Sequence, residues 1–281
     1  MHLVFLTERL LQGFGADRVV YEWAKYAASQ NHRCTIWCIE TDGSFPSLPG
    51  LEIRQVSIAR PGLYPYYELW ALRRVRYILR ASAPADAWIV ATIPFYPYLH
   101  WCSPSLVCDF GFPSTRGMSL FSRLNFGYMK WVQYHLHFPT ARRIACISYY
   151  VRDCLGENLR KKAEVIYPGR EHISQAETHP IRAKKAIMPD EVVLLYVGRL
   201  NPFAQPYKGV LLLRKIFLSL AKEVSVPVRL VLAGYGTERD AKILSGPGIL
   251  VEPNISQTDL ISWYAACDIY VSASPWEGFN L

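Results

Sequence analysis

Short, nearly all-apolar runs recur along this chain, each followed by a stretch long enough to return as a helix. That rhythm restricts the fold more than any other feature. Side chains of a strand alternate between two faces, so a strand reads as continuously apolar only when both faces are covered, as in a parallel sheet with crossover helices. HLVFL at 2–6, CTIWCI at 34–39, LEIRQVS at 51–57, WIVAT at 88–92, LVCDF at 106–110, RIACIS at 143–148 and EVIYP at 164–168 form a first series. VVLLYVG at 192–198, VRLVLAG at 228–234 and DIYVSAS at 268–274 form a second. The fold class is α/β.

Helical periodicity fills the intervals. Val19, Trp23, Tyr26 and Ala27 mark one apolar face, leaving Arg18, Glu22 and Lys25 in water. Residues 66–81 and 121–138 read as helices crowded with aromatics and bases, with packing expected below and solvent above: Arg73, Arg74, Arg76 and Arg80 in the first, Arg123, Lys130, His135 and His137 in the second. Residues 209–224 and 256–267 are further helices, the latter opened by Ser256 and Asp259 at capping-box spacing. The polar stretch HPIRAKKAIMPDE interrupts the pattern and sets the domains at 1–178 and 179–281. A chain of 281 residues, 51% apolar, can bury two such cores.

Charge is uneven. Residues 1–188 carry 23 basic and 14 acidic side chains (23 − 14 = +9), and residues 189–281 carry 8 and 9 (8 − 9 = −1), which together make the formal +8. A basic, aromatic first half suits an anionic partner, and Arg73, Arg74, Arg76 and Arg80 beside Tyr64, Tyr66, Tyr67 or Trp70 would suit peripheral contact with a membrane. Nucleic acid is not expected, since no groove-reading or base-stacking module accompanies the charge. The seven cysteines show neither a CxxC pair nor zinc-site spacing and read as buried thiols. No apolar run reaches the roughly 18 residues of a membrane span, and the first strand begins at once, without a signal-peptide pattern. The expected location is cytoplasmic, at or away from the membrane face.

Chemistry-bearing residues collect at strand ends. Gly13 and Gly15 lie between the first strand and its helix, where missing side chains permit either tight packing or approach of an anion to helix N–H groups. QGFGAD falls short of a full GxGxxG, and Glu40 and Asp42 after the second strand therefore do not mark a dinucleotide site. In the second half Arg199 ends a strand and Lys208 immediately precedes a helix, with Gly198, Gly209, Gly234 and Gly236 at turns; a planar fork and a mobile cation so placed suit a diphosphate. Glu277, beside Trp276, Gly278 and Phe279, could accept hydrogen bonds from sugar hydroxyls. No pair of acids flanks a bond as glycoside hydrolysis requires.

The ordered set VVLLYVGRL, YKGV, VLAGYG, the helix from Asp259 to Cys267, DIYVSAS and SPWEGFNL resembles the C-terminal domain of retaining glycosyltransferases of the GT-B, family-4 type. The opening strand, glycine turn and helix, with IACISYYVRDCL leading to VIYPG, are similar to the N-terminal domain of that family. The resemblance implies two facing Rossmann-like domains, an acceptor-side domain at 1–178 and a nucleotide-sugar-binding domain at 179–281. It implies transfer of a sugar from a nucleotide-diphosphate donor to a glycan or lipid-linked acceptor with retention of anomeric configuration, and no added cofactor or metal. In it Arg199 and Lys208 match the pair that stabilises the diphosphate, and Glu277 matches the first of two paired glutamates, beside the transferred sugar. Gly15, Gly198, Gly234, Gly236, Gly278 and Phe279 fall to the donor.

Three positions depart from the family pattern. NPFAQPY lengthens the interval between Arg199 and Lys208 and is expected to loop outward. Gly111 stands nearest the place of a histidine usual beside the donor sugar, with Asp109 and Arg116 as candidate acceptor-side substitutes. The second glutamate of the pair would come eight positions after Glu277, beyond Leu281, so the second domain is expected to be incomplete and to need a complementing polypeptide. The alternative function is a noncatalytic sugar-nucleotide-binding or assembly subunit of a split glycosyltransferase.

Overall fold

A computed structural model describes residues 1–58, 64–169 and 180–278, without the side chains of residues 64–67, so Tyr64, Tyr66 and Tyr67 as membrane contacts lie outside the described side chains, and Phe279 lies outside the described residues. Two compact units divide the chain. Met1–Phe112, Phe121–Gly169 and Gly278–Leu281 form one, and Pro113–Leu120 and Arg170–Glu277 form the other. A boundary at residue 178 falls outside the described residues.

The first unit is built on a seven-stranded sheet ordered β3-β2-β1-β4-β5-β6-β7, every neighbouring pair parallel. Its strands are β1 His2–Leu10, β2 Arg33–Thr41, β3 Leu51–Gln55, β4 Ala87–Val90, β5 Ser105–Asp109, β6 Arg143–Cys146 and β7 Ala163–Val165. Alternation explains the apolar runs. Val4 and Leu6 of β1 enter a core with Trp37, Trp88, Val90, Val107 and Ile144 on one face, while Phe5 enters another with Ile36, Ile89 and Cys108. Helix α1 (Gly15–Ser29) seals the second face and α2 (Tyr64–Ala81), through Ala71, Val75 and Ile78, the first. Strand order reverses between β1 and β4, the switch point beside which open α/β sheets hold ligands at their carboxyl ends.

Three local expectations change. The buried stripe of α1 is Asp17, Val20, Tyr21 and Ala24, with Val19, whereas Tyr26 is exposed. The stripe rotates because the loop after β2 covers the helix: Tyr21 packs on Phe45 at 4.8 Å between ring centroids and donates to the Pro46 carbonyl at 3.1 Å. The second aromatic helix divides into α3 (Leu120–Val132), a π turn Gln133–His137 and a 3-10 turn Phe138–Thr140. Phe138 packs into the core as expected, but Phe121, Leu124, Tyr128 and Trp131 face solvent instead of packing below. Short helices α4 (Tyr149–Asp153) and α5 (Glu157–Arg160) complete this unit.

The second unit carries a four-stranded parallel sheet ordered β10-β9-β8-β11, from β8 Val192–Arg199, β9 Val228–Tyr235, β10 Ile249–Pro253 and β11 Ile269–Tyr270. Leu194 and Tyr196 face one core with Val210, Leu213 and Phe217 of helix α7 (Val210–Glu223); Val193 and Leu195 face the other, with Trp263 of α9 (Gln257–Ala266) and Ile181 of α6 (Ile181–Lys184). Ser256 caps α9 by accepting from the Asp259 N–H at 3.1 Å, an interaction worth about 1 kcal/mol. Sequence periodicity passes over α6, the helix α8 (Glu238–Leu244) and β10; α8 is fixed by a reciprocal box between Thr237 and Asp240. The long DIYVSAS strand shrinks to two residues, since β11 pairs with β8 along Ile269 and Tyr270 alone and both are exposed at the sheet edge.

Candidate functional site

The second unit gathers its polar machinery at the carboxyl ends of β8 and β9. These strands run in register with Gly198 opposite Gly234 and Arg199 opposite Tyr235. Gly234 has φ +135°, and a Cβ there would strike the Gly198 carbonyl oxygen; a Cβ on Gly198 would come within 2.6 Å of the Tyr196 hydroxyl, and one on Gly236 within 2.8 Å of Leu200 Cβ. The glycines thus let two strand ends close on one another. Asn254 ties the same turn down: its Nδ2 donates to the Gly236 carbonyl at 2.8 Å and its own N–H to the Gly234 carbonyl at 2.6 Å.

After Arg199 the chain turns outward, with Phe203 71% exposed, and returns through a 3-10 turn Pro206–Lys208. Gly209 follows at φ +66° and caps α7 without a side chain. A Cβ at Gly209 would run into the Ala273 carbonyl, so only glycine lets the start of α7 press against the segment after β11. Ser274 Oγ donates to the Lys208 carbonyl at 3.2 Å across that contact. The approach joins residues 69 apart in sequence: Lys208 Nζ donates to both Glu277 oxygens, at 2.8 and 2.7 Å, with the two side chains 19% and 24% exposed. Lys208 also lies 5.6 Å from the centre of the Tyr207 ring, which meets Trp276 edge-on at 6.1 Å.

Tyr207 reports the electrostatics. Burial pushes its hydroxyl above the ordinary tyrosine value, Arg199 pulls it back and Glu277 pushes it further up. Arg199, Lys208 and Glu277 therefore share one neighbourhood within this unit, beside the N-terminus of α7, whose first-turn N–H groups have no side-chain cap. Two cations, one carboxylate and a helix N-terminus can hold an oxyanion of more than one negative charge while the acid accepts from hydroxyls. Tyr207 escaped the sequence reading, although its place next to Lys208 in YKG was the available signal.

Of the residues expected in the first domain, Gly15 and Asp109 lie in the first unit and Arg116 groups with the second. Gly15 opens α1 after Phe14, again with no side-chain cap. The N–H groups of Leu11 and Gln12 are taken by Asp17 and Asp42, each at 3.0 Å, so both acids serve the glycine turn. Asp109 ends β5 at 2% exposure, accepting from the Gly111 N–H at 2.9 Å and the Tyr134 hydroxyl at 3.0 Å. Burial pushes its carboxyl up to about 6, against those two hydrogen bonds and Lys130, which lower it. Arg116 is exposed in a loop grouped with the second unit. Gly278 groups with the first unit, where its carbonyl accepts from Ser148 Oγ at 2.7 Å. Five of the seven cysteines are buried, Cys267 is half-buried and Cys154 is exposed. Among the described residues no three His, Cys, Asp or Glu side chains group as metal ligands.

Residues 15–172 match the family model for Glycosyltransferase Family 4, and residues 191–281 match that for Glycosyl transferases group 1. Comparison with curated proteins finds no match. Among solved structures the chain is similar to WaaG, a glycosyltransferase involved in lipopolysaccharide biosynthesis (TM-score 0.72, 15% identity, 98% of this chain and 76% of that one). It is also similar to sucrose-phosphate synthase from Thermosynechococcus elongatus (0.71, 15%, 100% and 77%) and to the catalytic domain of starch synthase IV from Arabidopsis thaliana bound to ADP and acarbose (0.68, 14%, 100% and 79%). At such identities the structures establish the α/β architecture with parallel sheets, and the family models establish kinship. The chain belongs to glycosyltransferase family 4, of the GT-B type, whose reaction is the transfer of a sugar from a nucleotide sugar.

Proposed function

We propose that this protein transfers a hexose from a nucleotide-diphosphate sugar to a glycan or lipid-linked acceptor with retention of configuration, at the cytoplasmic face of a membrane or in the cytoplasm. The observation that carries the reading is the bidentate Lys208–Glu277 pair held at the start of α7 in the neighbourhood of Arg199. As the bond to the sugar breaks, negative charge grows on the departing diphosphate; Arg199, Lys208 and the α7 N–H groups are pre-aligned to receive it, which lowers the barrier without a covalent intermediate. Glu277 accepts hydrogen bonds from hydroxyls of the transferred sugar, while Gly198, Gly234 and Gly236 give the donor access to backbone. Arg116, exposed, is assigned to the acceptor, while Asp109 is buried and holds the Gly111 turn from beneath. The ADP bound in the starch synthase IV structure supports a nucleoside diphosphate as the leaving group.

A mass-resolved panel of UDP-, GDP- and ADP-sugars with glycan and lipid-linked acceptors tests the reading, with the anomeric configuration of the product read by NMR. Transfer should fall in R199A and in K208A while both retain their fold. Unchanged transfer in the folded variants defeats the assignment. Donor binding without turnover is the result expected of a noncatalytic binding or assembly subunit, whereas turnover restored by a short second polypeptide is that expected of one half of a split enzyme.

A further inference from the structure

Helix α3 inverts the usual amphipathic plan. A surface helix turns its large apolar residues inward, yet Leu120, Phe121, Leu124, Tyr128 and Trp131 all face solvent, Phe121 at 63% and Leu124 at 66% exposure. At 3.6 residues per turn the five fall within one arc of about 100°, so they form a continuous stripe. The π turn lengthens it, stacking His135 on Trp131 at 5.6 Å and leaving Leu136 exposed.

The charge along this segment of the chain has a single sign. Between Asp109 and Asp153 the sequence holds six Lys and Arg residues and no Asp or Glu. Arg123 and Lys130, both exposed, border the stripe on α3 itself. At the far end of the run His137 Nε2 stands 3.6 Å from Glu68 Oε1 of α2, whose next residues expose Leu69 and Trp70 beside Arg73 and Arg74.

A contiguous exposed apolar patch marks a surface that something covers. Here the partner must offer hydrocarbon against the stripe and negative charge along its border. A bilayer with anionic headgroups supplies both at once: aromatic rings settle at the headgroup level and neighbouring cations reach the phosphates. No helix of the described residues is long and apolar enough to cross a membrane, so α3 would lie in the plane of the surface. We propose that α3 docks the protein onto anionic membrane surfaces, with Phe121, Leu124, Tyr128 and Trp131 in the interface and Arg123 and Lys130 on the headgroups.

Flotation of the whole chain with vesicles of phosphatidylcholine, with and without phosphatidylglycerol, tests this. The unmodified protein should float with the anionic vesicles alone, less so as salt rises, and binding should drop at least about tenfold in L124S/W131S and in R123E/K130E. Both variants change exposed side chains, and circular dichroism checks that each remains folded. Equal flotation with neutral vesicles, or unchanged flotation of either folded variant, overturns the proposal. So does concentration-dependent self-association, abolished by L124S/W131S, in a protein that ignores lipid, since a second copy would then cover the stripe. The vesicles carry neither donor nor acceptor, and failure here leaves the sugar-transfer reading standing.

Discussion

Replacing Asp109 with asparagine should make the protein more stable at neutral pH and remove part of its dependence on pH. The carboxyl is 2% exposed, and burial lifts it from the free value of 3.8 to about 6. Below pH 3.8 it is protonated in both the folded and the unfolded chain. As pH rises towards about 6 the unfolded carboxyl ionises while the folded one keeps its proton, so unfolding releases a proton and is favoured by each increment of pH. Stability contributed by the neutral group is full below the unfolded value and is lost on rising through the folded one. At roughly 1.4 kcal/mol per tenfold, the deficit at pH 7 is about 3 kcal/mol. Asparagine keeps an acceptor for the Gly111 N–H but obliges Tyr134 to accept rather than donate, at a cost of about 1 kcal/mol. A net gain of about 2 kcal/mol remains. Urea unfolding of both proteins across this range, followed by a signal from the first unit, measures it. An asparagine variant less stable at pH 7, or a difference between the two proteins that does not change with pH, refutes the reasoning.

In K208A the Glu277 carboxylate stays about three-quarters covered with its cation removed, which should cost the second unit about 1–3 kcal/mol in denaturant unfolding, and loss of one leaving-group contact should lower turnover by about 10²–10³. Gly234 and Gly13 both have positive φ, but only at Gly234 does a Cβ meet backbone, the Gly198 carbonyl. G13A should cost about 1–2 kcal/mol and G234A distinctly more, in parallel urea titrations; equal losses would mean that the β8–β9 ends open readily.

The architecture was legible because a strand covered on both faces cannot conceal its hydrophobicity: runs such as 2–6 and 192–198 sit in β1 and β8, flanked by cores on either side. Elements held by polar or edge contacts were not. Helix α8 rests on the Thr237–Asp240 box, and β11 is an exposed edge whose apolar letters promised more strand than the sheet had room to pair. Lys208 and Glu277 could be singled out one by one from turn chemistry. Their mutual contact depends on Gly209 meeting Ala273, a tertiary approach that no local spacing encodes. Asp109 shows the reverse. Its type and strand-end position invited a functional role, whereas its depth and its partner Tyr134, delivered by a π turn, follow from packing.

Glu277 is where binding and transfer can be separated. Its carboxylate neutralises one of two nearby cations, leaving Arg199, Lys208 and Glu277 at +1 − 1 + 1 = +1, to which the start of α7 adds about half a charge. In E277Q the three side chains carry +2. An acid about 6 Å from a phosphate repels it by about 1–3 kcal/mol at an effective dielectric between water and a protein surface, so E277Q should bind a free nucleoside diphosphate several-fold more tightly. The intact nucleotide sugar should behave differently: a charge-assisted hydrogen bond to a sugar hydroxyl is worth about 1.5–3 kcal/mol, and its weakening offsets the electrostatic gain. Calorimetric titration of E277Q with diphosphate and with its sugar ester should therefore show the affinities moving apart, by up to about 100-fold in their ratio. If both weaken together, Glu277 acts by holding Lys208 in place, and K208A should reproduce the loss. If both tighten together, the acid is merely a neighbour of the diphosphate, and recognition of the sugar must be sought on another side chain.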